Sequence, residues 1–552
     1  MACQKGLTDN EIMSLLYDTQ LSDNEEDLDD ISDEEYVPND SSSEDEYEEE
    51  EDTGQELVGN PPGTANYLVA PSGDKWYKTC PAATGRLSSI NVITTKPGPT
   101  VYSSARMTEC PSSAFDLIFD HEMTKTILIE TNREGKRIKK DNFLEITNEE
   151  IRAFLGLCIL RGVHKSKNQD VRDLWSSNGP PIFAQTMSIN RFEEIRRFLR
   201  FDNPATRAGR ISRDKLAAVR LLIDGFVKNS QLCYNHSECT TVDEQLYPFR
   251  GRCRFIQYMP SKPAKYGLKF WILADGKNYY ISNIELYTGK DDTRTTDLGM
   301  HVVLKLVKHI HFTGRNITTD NFFTSLKLAR ELKSKNLSLV GTLRGNRREL
   351  PKEMRNAKIG NIFDSEFVFS SDNIQLLSYK TKKNKKVHLL SSQHTSCKLN
   401  NTPKRKPDTI SYYNHTKGGV DCADERIGTY SVKYKTKRWH VTVFCNILDM
   451  ACLNAFILFC DVFPKYNEKK SNKRKLFLGE LGLELSKRYR DERKSKEIAR
   501  HIHVSSESSK KRSRCSLCSR SVDRKTSTKC KICDKYVCPM HSIIKCLDCG
   551  AM

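Results

Sequence analysis

The run Cys239-Thr240-Thr241-Val242-Asp243 decides how the rest of the chain is read, being short, rich in β-branched residues and closed by a carboxylate. After it, Leu268 to Ala274 (LKFWILA) is an apolar run of strand length. Asp275-Gly276 marks a turn, and Tyr279 to Tyr287 returns as the second strand of a hairpin. Val303, Leu306, Val307 and Ile310 then fall at helical spacing. Asn316 to Thr319 leads into a second strand-terminal carboxylate, Asp320, followed by a helix through Leu326 to Leu332 and a strand at Ser338 to Leu343.

Three meandering strands, a helix, a strand, a helix and a further strand is the order of an α/β ribonuclease-H-like core. Nucleases of that fold carry carboxylates on the first strand, the fourth strand and a later helix, converging on two divalent metals. One metal activates the attacking oxygen and the other stabilises the leaving oxygen at phosphorus. Hard carboxylate oxygens suit Mg²⁺. Gly418-Gly419 opens a helix containing Asp421 and Asp424, which three-residue spacing puts on one face, near an N-terminus that favours their ionised form. Asp243, Asp320 and Asp421 stand where the arrangement needs them, although any one of them alone reads equally as a turn or cap residue.

The flanks differ in character. Residues 1–52 hold 21 Asp/Glu and one basic residue, Lys5; against +17 for the whole chain, that leaves +37 elsewhere. A body so basic predicts a polyanionic partner, nucleic acid above all. Residues 1–55 are too polar to bury a core and read as a disordered acidic tail. Ser22, Ser32 and Ser43 each precede Glu by three positions, a pattern that suits acidophilic phosphorylation; the tail either competes with DNA for the basic body or simply solubilises the chain. Residues 56–109, rich in Gly, Pro, Ser and Thr, read as linker. From residue 110 the pattern is helical. Thr147-Asn148-Glu149-Glu150 has capping-box form, and a second helix carries Phe192, Ile195, Phe198 and Leu199 opposite Arg191, Arg196, Arg197 and Arg200. That basic stripe is either a solvated face or a phosphate track. Residues 346–415 interrupt the core as an insertion, and 441–463 form an apolar helix too short and too close to charge to span a membrane.

Residues 515–549 hold seven of the nineteen Cys, in four close pairs: Cys515-x2-Cys518, Cys530-x2-Cys533, Cys538-x2-His541 and Cys546-x2-Cys549. Eight soft ligands suit two tetrahedral zinc ions, and pairs too short for a hydrophobic core would take their folding energy from metal. A disulfide framework is the bland alternative, disfavoured because the N-terminal residues lack an apolar leader. With no run of about 18 apolar residues either, a soluble intracellular protein without membrane association is expected. A cross-brace would give Cys515, Cys518, Cys538 and His541 one ion, and Cys530, Cys533, Cys546 and Cys549 the other. RING, PHD and DNA-end-binding modules all share this layout, so a ubiquitin ligase remains a rival reading of the tail alone. The basic clusters Lys404-Arg405-Lys406 and Lys510-Lys511-Arg512-Ser513-Arg514 serve either as nuclear signals or as phosphate contacts.

From about residue 110 onward the sequence resembles the piggyBac transposases. The motifs are Thr241-Val242-Asp243-Glu244-Gln245 leading into Pro248-Phe249-Arg250-Gly251-Arg252-Cys253, then Lys262-Pro263-x-Lys265-Tyr266-Gly267. Asn316-Ile317-Thr318-Thr319-Asp320-Asn321, Tyr412-Tyr413-Asn414-His415-Thr416-Lys417-Gly418-Gly419-Val420-Asp421, Arg438-Trp439 and the Cys/His tail complete the likeness. The resemblance implies a nuclear, dimeric cut-and-paste DNA transposase with Asp243, Asp320 and Asp421 as catalytic triad and Asp424 as a further acidic position. Mg²⁺ would serve it, with Mn²⁺ able to substitute. It implies nicking at transposon ends, hairpin formation on TTAA flanks and joining into TTAA targets, with the zinc tail on the terminal inverted repeats. The expected domains are a helical DNA-binding and dimerisation domain from 110–237 and 432–510, a core from 238–345 and 416–431, an insertion at 346–415 and a zinc module at 511–552. Arg250, Arg252, Lys262 and Lys265 are candidate phosphate contacts, and Arg438 and Trp439 candidate DNA contacts, against the plain readings of surface charge and a core Trp. A domesticated relative that binds DNA without cutting it is the alternative.

Overall fold

The structure, a computed structural model, describes residues 66–81, 88–167, 169–260, 262–289, 297–356, 360–507, 512–530 and 534–542, with 497–507 described for their backbone alone. The acidic tail, with Ser22, Ser32 and Ser43, and the ligand candidates Cys533, Cys546 and Cys549 lie outside the described residues. The chain divides into two compact units between Tyr489 and Arg490.

The first unit is built on an 11-stranded sheet. Its strands are β1 (Tyr67–Val69), β2 (Lys75–Tyr77), β5 (Cys239–Pro248), β6 (Gln257–Tyr258), β7 (Tyr266–Asp275), β8 (Ile281–Leu286), β9 (Asn316–Thr319), β10 (Ser338–Leu343), β11 (Ser365–Phe369), β12 (Gln375–Lys382) and β13 (Lys385–Ser391). A separate two-residue pair joins β3 (Gly98–Pro99) to β4 (Tyr234–Asn235). The order is β1-β2-β11-β12-β13-β10-β9-β5-β7-β6, with β8 also on β7. Among the described residues only β5/β9 and β9/β10 run parallel; parallel neighbours need crossovers, which the helices Leu298–Leu306 and Leu326–Ser334 supply.

Strand β7 shows why its sequence is apolar throughout. Leu268, Phe270, Ile272 and Ala274 enter a core shared with the helices, while Trp271 and Leu273 enter a second core with Val242, Val303, Leu306 and Leu328 on the opposite face. Both faces are covered, so the alternation expected of a half-exposed strand is absent.

The helices Pro111–Ile118, His121–Lys139, Asn148–Val163, Ile189–Phe198 and Arg220–Cys233 share the first core with Trp439–Val462, so segments on either side of the sheet in sequence pack together. Phe154, Phe444 and the sheet residue Phe270 belong to that one core. The 24-residue Trp439–Val462 helix has a mean hydropathy of 2.0 over its most apolar window, enough to cross a membrane by composition, yet 89% of that window is buried inside the protein. Its polar residues turn to the sheet: Asn454 Nδ2 donates to Ile281 O (2.7 Å), and Asp449 accepts from Tyr247 Oη (3.1 Å). Thr147 caps its helix as expected, accepting from Glu150 N (3.1 Å). The reciprocal half of the capping box is absent, because the Glu150 carboxylate goes to Arg191 (2.8 Å).

Two expectations are corrected. The segment 56–109, read as linker, places β1 and β2 at the end of the sheet against β11, and Trp76 is fully buried with its indole N–H on Glu349 O (3.0 Å). Its Gly, Pro and Ser content masks two three-residue strands that pair with each other, and the second joins the sheet through Phe369, nearly three hundred residues away. The segment 346–415 does not form a body of its own. β13 pairs with β10, and β12 and β11 follow, so the segment extends the core sheet.

Candidate active site

Strand β5 lays down a polar stripe by its two-residue period. Thr241, Asp243, Gln245 and Tyr247 share a face, and Val242 faces the opposite core. The parallel register pairs Thr241 with Thr318 and Val242 with Thr319, so the next step sets Asp243 beside Asp320, immediately after β9. Thr416, ending the Asp408–Thr416 helix, ties both strands: its carbonyl accepts from Thr241 Oγ1 (2.7 Å) and its hydroxyl meets Thr318 Oγ1 (2.8 Å). The Gly419–Thr429 helix starts three residues on and lies so close to β5 that a Cβ at Gly419 would stand 2.5 Å from Thr241 Oγ1. Val420, Ala423 and Ile427 are the buried side of this helix; Asp421 is exposed and Asp424 half-buried.

Gln245, fully buried, donates to Asp424 Oδ1 (2.6 Å) and accepts from Asn446 Nδ2 (2.8 Å) on the long apolar helix, so Asp424 is fixed through two amides. Lys262 Nζ reaches Asp421 Oδ1 at 3.9 Å and Glu244 O at 3.4 Å. Burial pushes Asp243 up to about 7, with Glu244, Asp320 and Asp421 adding to the rise against the Glu244 amide. Burial and Glu244 likewise raise Asp320, opposed by the Phe322 and Phe323 amides and Arg344. Asp424 is raised by burial and Asp421, against Gln245 and Lys262. Carboxylates crowded so that each resists the others' ionisation are held in check by a cation, and an all-oxygen donor set fits Mg²⁺ or Mn²⁺. Their oxygens stand wider than a single-ion cage: among the described residues the one set of three or more His, Cys or carboxylate donors all within 4.8 Å of one another is in the tail.

Sequence reasoning assigned no role to Glu244, Gln245, Tyr413 or Arg344. The signal for Gln245 is its position two residues after Asp243, on the same face of a strand. Tyr413 is raised by burial and by all three of Asp320, Asp243 and Asp421, so its ring belongs to the same site.

The predicted DNA contacts divide. Arg250, Arg252 and Lys265 are exposed, Arg250 lying over the Tyr266 ring (5.3 Å), and Lys262 faces the carboxylates. Arg438 is half-buried, and its guanidinium donates to the carbonyls of Arg196 (3.1 Å), Arg197 (3.0 Å) and Leu199, closing the C-terminal end of the Ile189–Phe198 helix. Trp439 is half-buried against the core, its ring T-shaped to Phe255 at 5.1 Å. The arginine stripe is not one uniform solvated face either. Arg191 pairs with Glu150 and Glu194 (2.8 and 2.7 Å) and Arg200 with Glu134 (2.6 Å), while Arg197 is exposed.

In the second unit, Cys515, Cys518, Cys538 and His541 come together. Cys518 and Cys538 Sγ are 3.7 Å apart, and His541 Nδ1 lies 3.6, 3.5 and 3.4 Å from the sulfurs of Cys515, Cys518 and Cys538. A tetrahedral zinc with ordinary bond lengths requires edges of about 3.8 Å between sulfurs and about 3.6 Å from sulfur to nitrogen. The four donors fit that ion. The Cys538 amide donates to Cys515 Sγ (3.3 Å) and draws that thiol down to about 6, towards the thiolate a metal binds.

Residues 110–456 match a protein-family model described as Transposase IS4. Two human proteins are similar: PiggyBac transposable element-derived protein 2, 28% identical over 375 residues (63% of this chain, 61% of that protein), and PiggyBac transposable element-derived protein 3, 25% identical over 381 residues (65% and 62%). The chain thus spans about three fifths of the length of these curated relatives. A solved structure, the cryo-EM structure of a piggyBac transposase synaptic complex with hairpin DNA, superposes with a TM-score of 0.69 at 32% identity, covering 82% of this chain and 100% of that one. A transposase model across most of the length and a common fold at that identity converge, and this chain belongs to the piggyBac family of transposases.

Proposed function

We propose that the chain is a DDD-type cut-and-paste DNA transposase with a ribonuclease-H-like core, and that Asp243, Asp320 and Asp421 are its catalytic carboxylates. The observation that carries this is the convergence of Asp243 and Asp320, neighbours on parallel strands, beneath a helix bearing Asp421 and Asp424. The strand order β8-β7-β5-β9-β10, antiparallel for the first two pairings and parallel for the last two, supports the ribonuclease-H-like assignment. A pair of Mg²⁺ ions, or Mn²⁺ in their place, held by Asp243, Asp320 and Asp421, would supply the positive charge that phosphoryl transfer needs. The chain's own residues do the positioning. Gln245 and Asn446 hold Asp424, Lys262 and Arg344 bring cationic charge to the rim for a DNA phosphate, and Thr416 anchors the helix on both strands.

In this reading the enzyme nicks at the transposon end, and the freed 3′-OH attacks the opposite strand to give a hairpin on the TTAA flank. Hairpin opening and joining into a new TTAA target follow. The tail, with one zinc on Cys515, Cys518, Cys538 and His541 and a second on Cys530, Cys533, Cys546 and Cys549, recognises the terminal inverted repeats. The enzyme works as a homodimer in the nucleus, which the basic clusters at 404–406 and 510–514 suit. The test is incubation of the full chain with Mg²⁺ and duplex carrying the element's own ends: nicks and then hairpins on a denaturing gel are expected, and their absence overturns the proposal. A second reading, DNA binding without catalysis, is favoured by one observation, that the similar human proteins are named as transposable element-derived; in that case the same duplex is bound and left intact.

A further inference from the structure

Cys80, three residues after β2, and Cys397, six residues after β13, are both exposed, and their thiols stand close enough for a side-chain hydrogen bond. Ordered backbone holds both ends of this meeting. Cys80 Sγ donates to Thr395 O (3.2 Å), two residues before Cys397. The loop carrying Cys397 is fixed from three further sides: Asn91 Nδ2 donates to Gln393 O (3.1 Å), Gln375 Nε2 to Ser396 O (2.9 Å) and the Asp408 amide to Lys398 O (3.1 Å). On the other side, the Lys78 amide donates to Asn66 O (3.0 Å), closing the β1/β2 hairpin just before Cys80. By contrast Cys158, Cys233, Cys239, Cys445 and Cys452 are buried, and burial holds each of those thiols above its ordinary value, so they stay inert.

Two thiols kept at short range by ordered backbone are what a disulfide requires, and exposure lets an oxidant reach them. β2 joins β11 at one paired position, Tyr77 with Phe369, so a covalent link just beyond that pairing would fasten the hairpin where its strand contact is shortest. Burial and the neighbouring Cys80 push the Cys397 thiol up to about 11. Cys397 therefore keeps its proton, and the first attack on an oxidant falls to Cys80.

We propose that Cys80 and Cys397 are a redox-sensitive pair that closes into a reversible disulfide, stapling the β1/β2 hairpin to the loop that leads into the Asp408–Thr416 helix. The co-reactant is a low-molecular-weight disulfide such as glutathione disulfide. The Cys80 thiolate attacks one of its sulfurs, releasing one glutathione thiolate and leaving a mixed disulfide on Cys80. Cys397, losing its proton to solvent, then displaces the second glutathione thiolate as the S–S bond within the protein forms. Each released thiolate takes up one proton, so the protein loses two hydrogens and one glutathione disulfide becomes two glutathione molecules. In a reducing compartment the pair stays open, and an oxidising shift closes it.

The test treats the full chain with glutathione disulfide at mildly alkaline pH and maps alkylated peptides without reduction. A peptide joining Cys80 to Cys397 within one molecule, released by dithiothreitol, is expected. The oxidised chain should also melt several degrees above the reduced one, because a link across more than three hundred residues restricts the unfolded chain. Cys80→Ser and Cys397→Ser should each abolish both effects, while Cys110→Ser, at another exposed cysteine, keeps them. Glutathione that stays on either cysteine with no joined peptide, a link between two molecules on a non-reducing gel, or a joined peptide with no gain in Tm overturns the proposal. The transposase reading stands or falls separately.

Discussion

Gly419→Ala tests the contact that brings the helical carboxylates to the strands. An alanine Cβ there would stand 2.5 Å from Thr241 Oγ1 and 2.9 Å from Thr241 Cβ, where ordinary contacts begin at 3.4 Å. Thr241 cannot turn aside without losing its bond to Thr416 O (2.7 Å). The helix must therefore lift by about 0.9 Å, because a close-packed interior offers no slack. Asp421, two residues further on, moves with it. A misplacement of about 1 Å costs on the order of 100-fold in rate, about 2.7 kcal/mol of barrier. Folding should survive, because Gly→Ala within a helix contributes up to about 1 kcal/mol in its favour. The neighbouring glycine is the control: a Cβ at Gly418 meets only Cys422 Sγ, at 3.6 Å, so Gly418→Ala should cut within a few-fold of wild type. Adding Thr241→Ala to Gly419→Ala removes the 2.5 Å contact but not the 2.9 Å one, and should restore part of the rate. The assay is the initial rate of Mg²⁺-dependent nicking of labelled end duplex, with Tm and duplex affinity measured alongside. Wild-type cutting by Gly419→Ala, or equal losses in both glycine variants, refutes the reasoning.

Burial and the neighbouring Glu244 and Asp320 keep Asp243 protonated up to about pH 7, and its proton must leave before a cation binds; Mg²⁺ affinity by calorimetry should therefore fall by up to about tenfold per pH unit below 7 and level off above it, and a flat profile contradicts this. Asp449 is raised by burial to about 7 despite its bonds from Ser431, Val432 and Tyr247, so between the unfolded value near 4 and pH 7 the native state binds the extra proton and stability drains away as pH rises. Asp449→Asn should accordingly gain roughly 3 kcal/mol on the wild type between pH 5 and pH 8 in denaturant titrations, and a pH-independent difference counts against it. Cys538→Ser, which takes one donor from the Cys/His set, should lose metal by mass spectrometry and end-specific binding while the first unit keeps its Tm; normal end binding would leave the cluster a structural module alone.

Local patterns carried the central elements. Cys239 to Asp243, LKFWILA and Ser338 to Leu343 are strands in the sequence and in the structure, because their β-branched or apolar residues suit a sheet covered on both faces. Asp243 and Asp320 could be placed because each follows a short strand-forming run. What failed depended on distant partners. The Arg191 and Arg200 side chains read as one basic face because Glu150 and Glu134, which pair with them, sit on other helices. Trp76 read as linker because the carbonyl that receives its N–H belongs to Glu349. Nothing local to Arg438 reveals that its guanidinium closes the Ile189–Phe198 helix, whose last carbonyls lie some 240 residues earlier. The antiparallel continuation of the sheet from β10 through β13, β12 and β11 was not legible, so an extension of the sheet looked like a separate insertion.

The most direct test of the central claim measures Mg²⁺-dependent nicking of end duplex by the wild type and by Asp243→Asn, Asp320→Asn and Asp421→Asn in parallel. Each single substitution is predicted to abolish cutting while leaving Tm and duplex affinity near wild type, because the three carboxylates act as one unit. Nicking that persists at the wild-type rate in any of the three, or a wild type that never cuts, would contradict it.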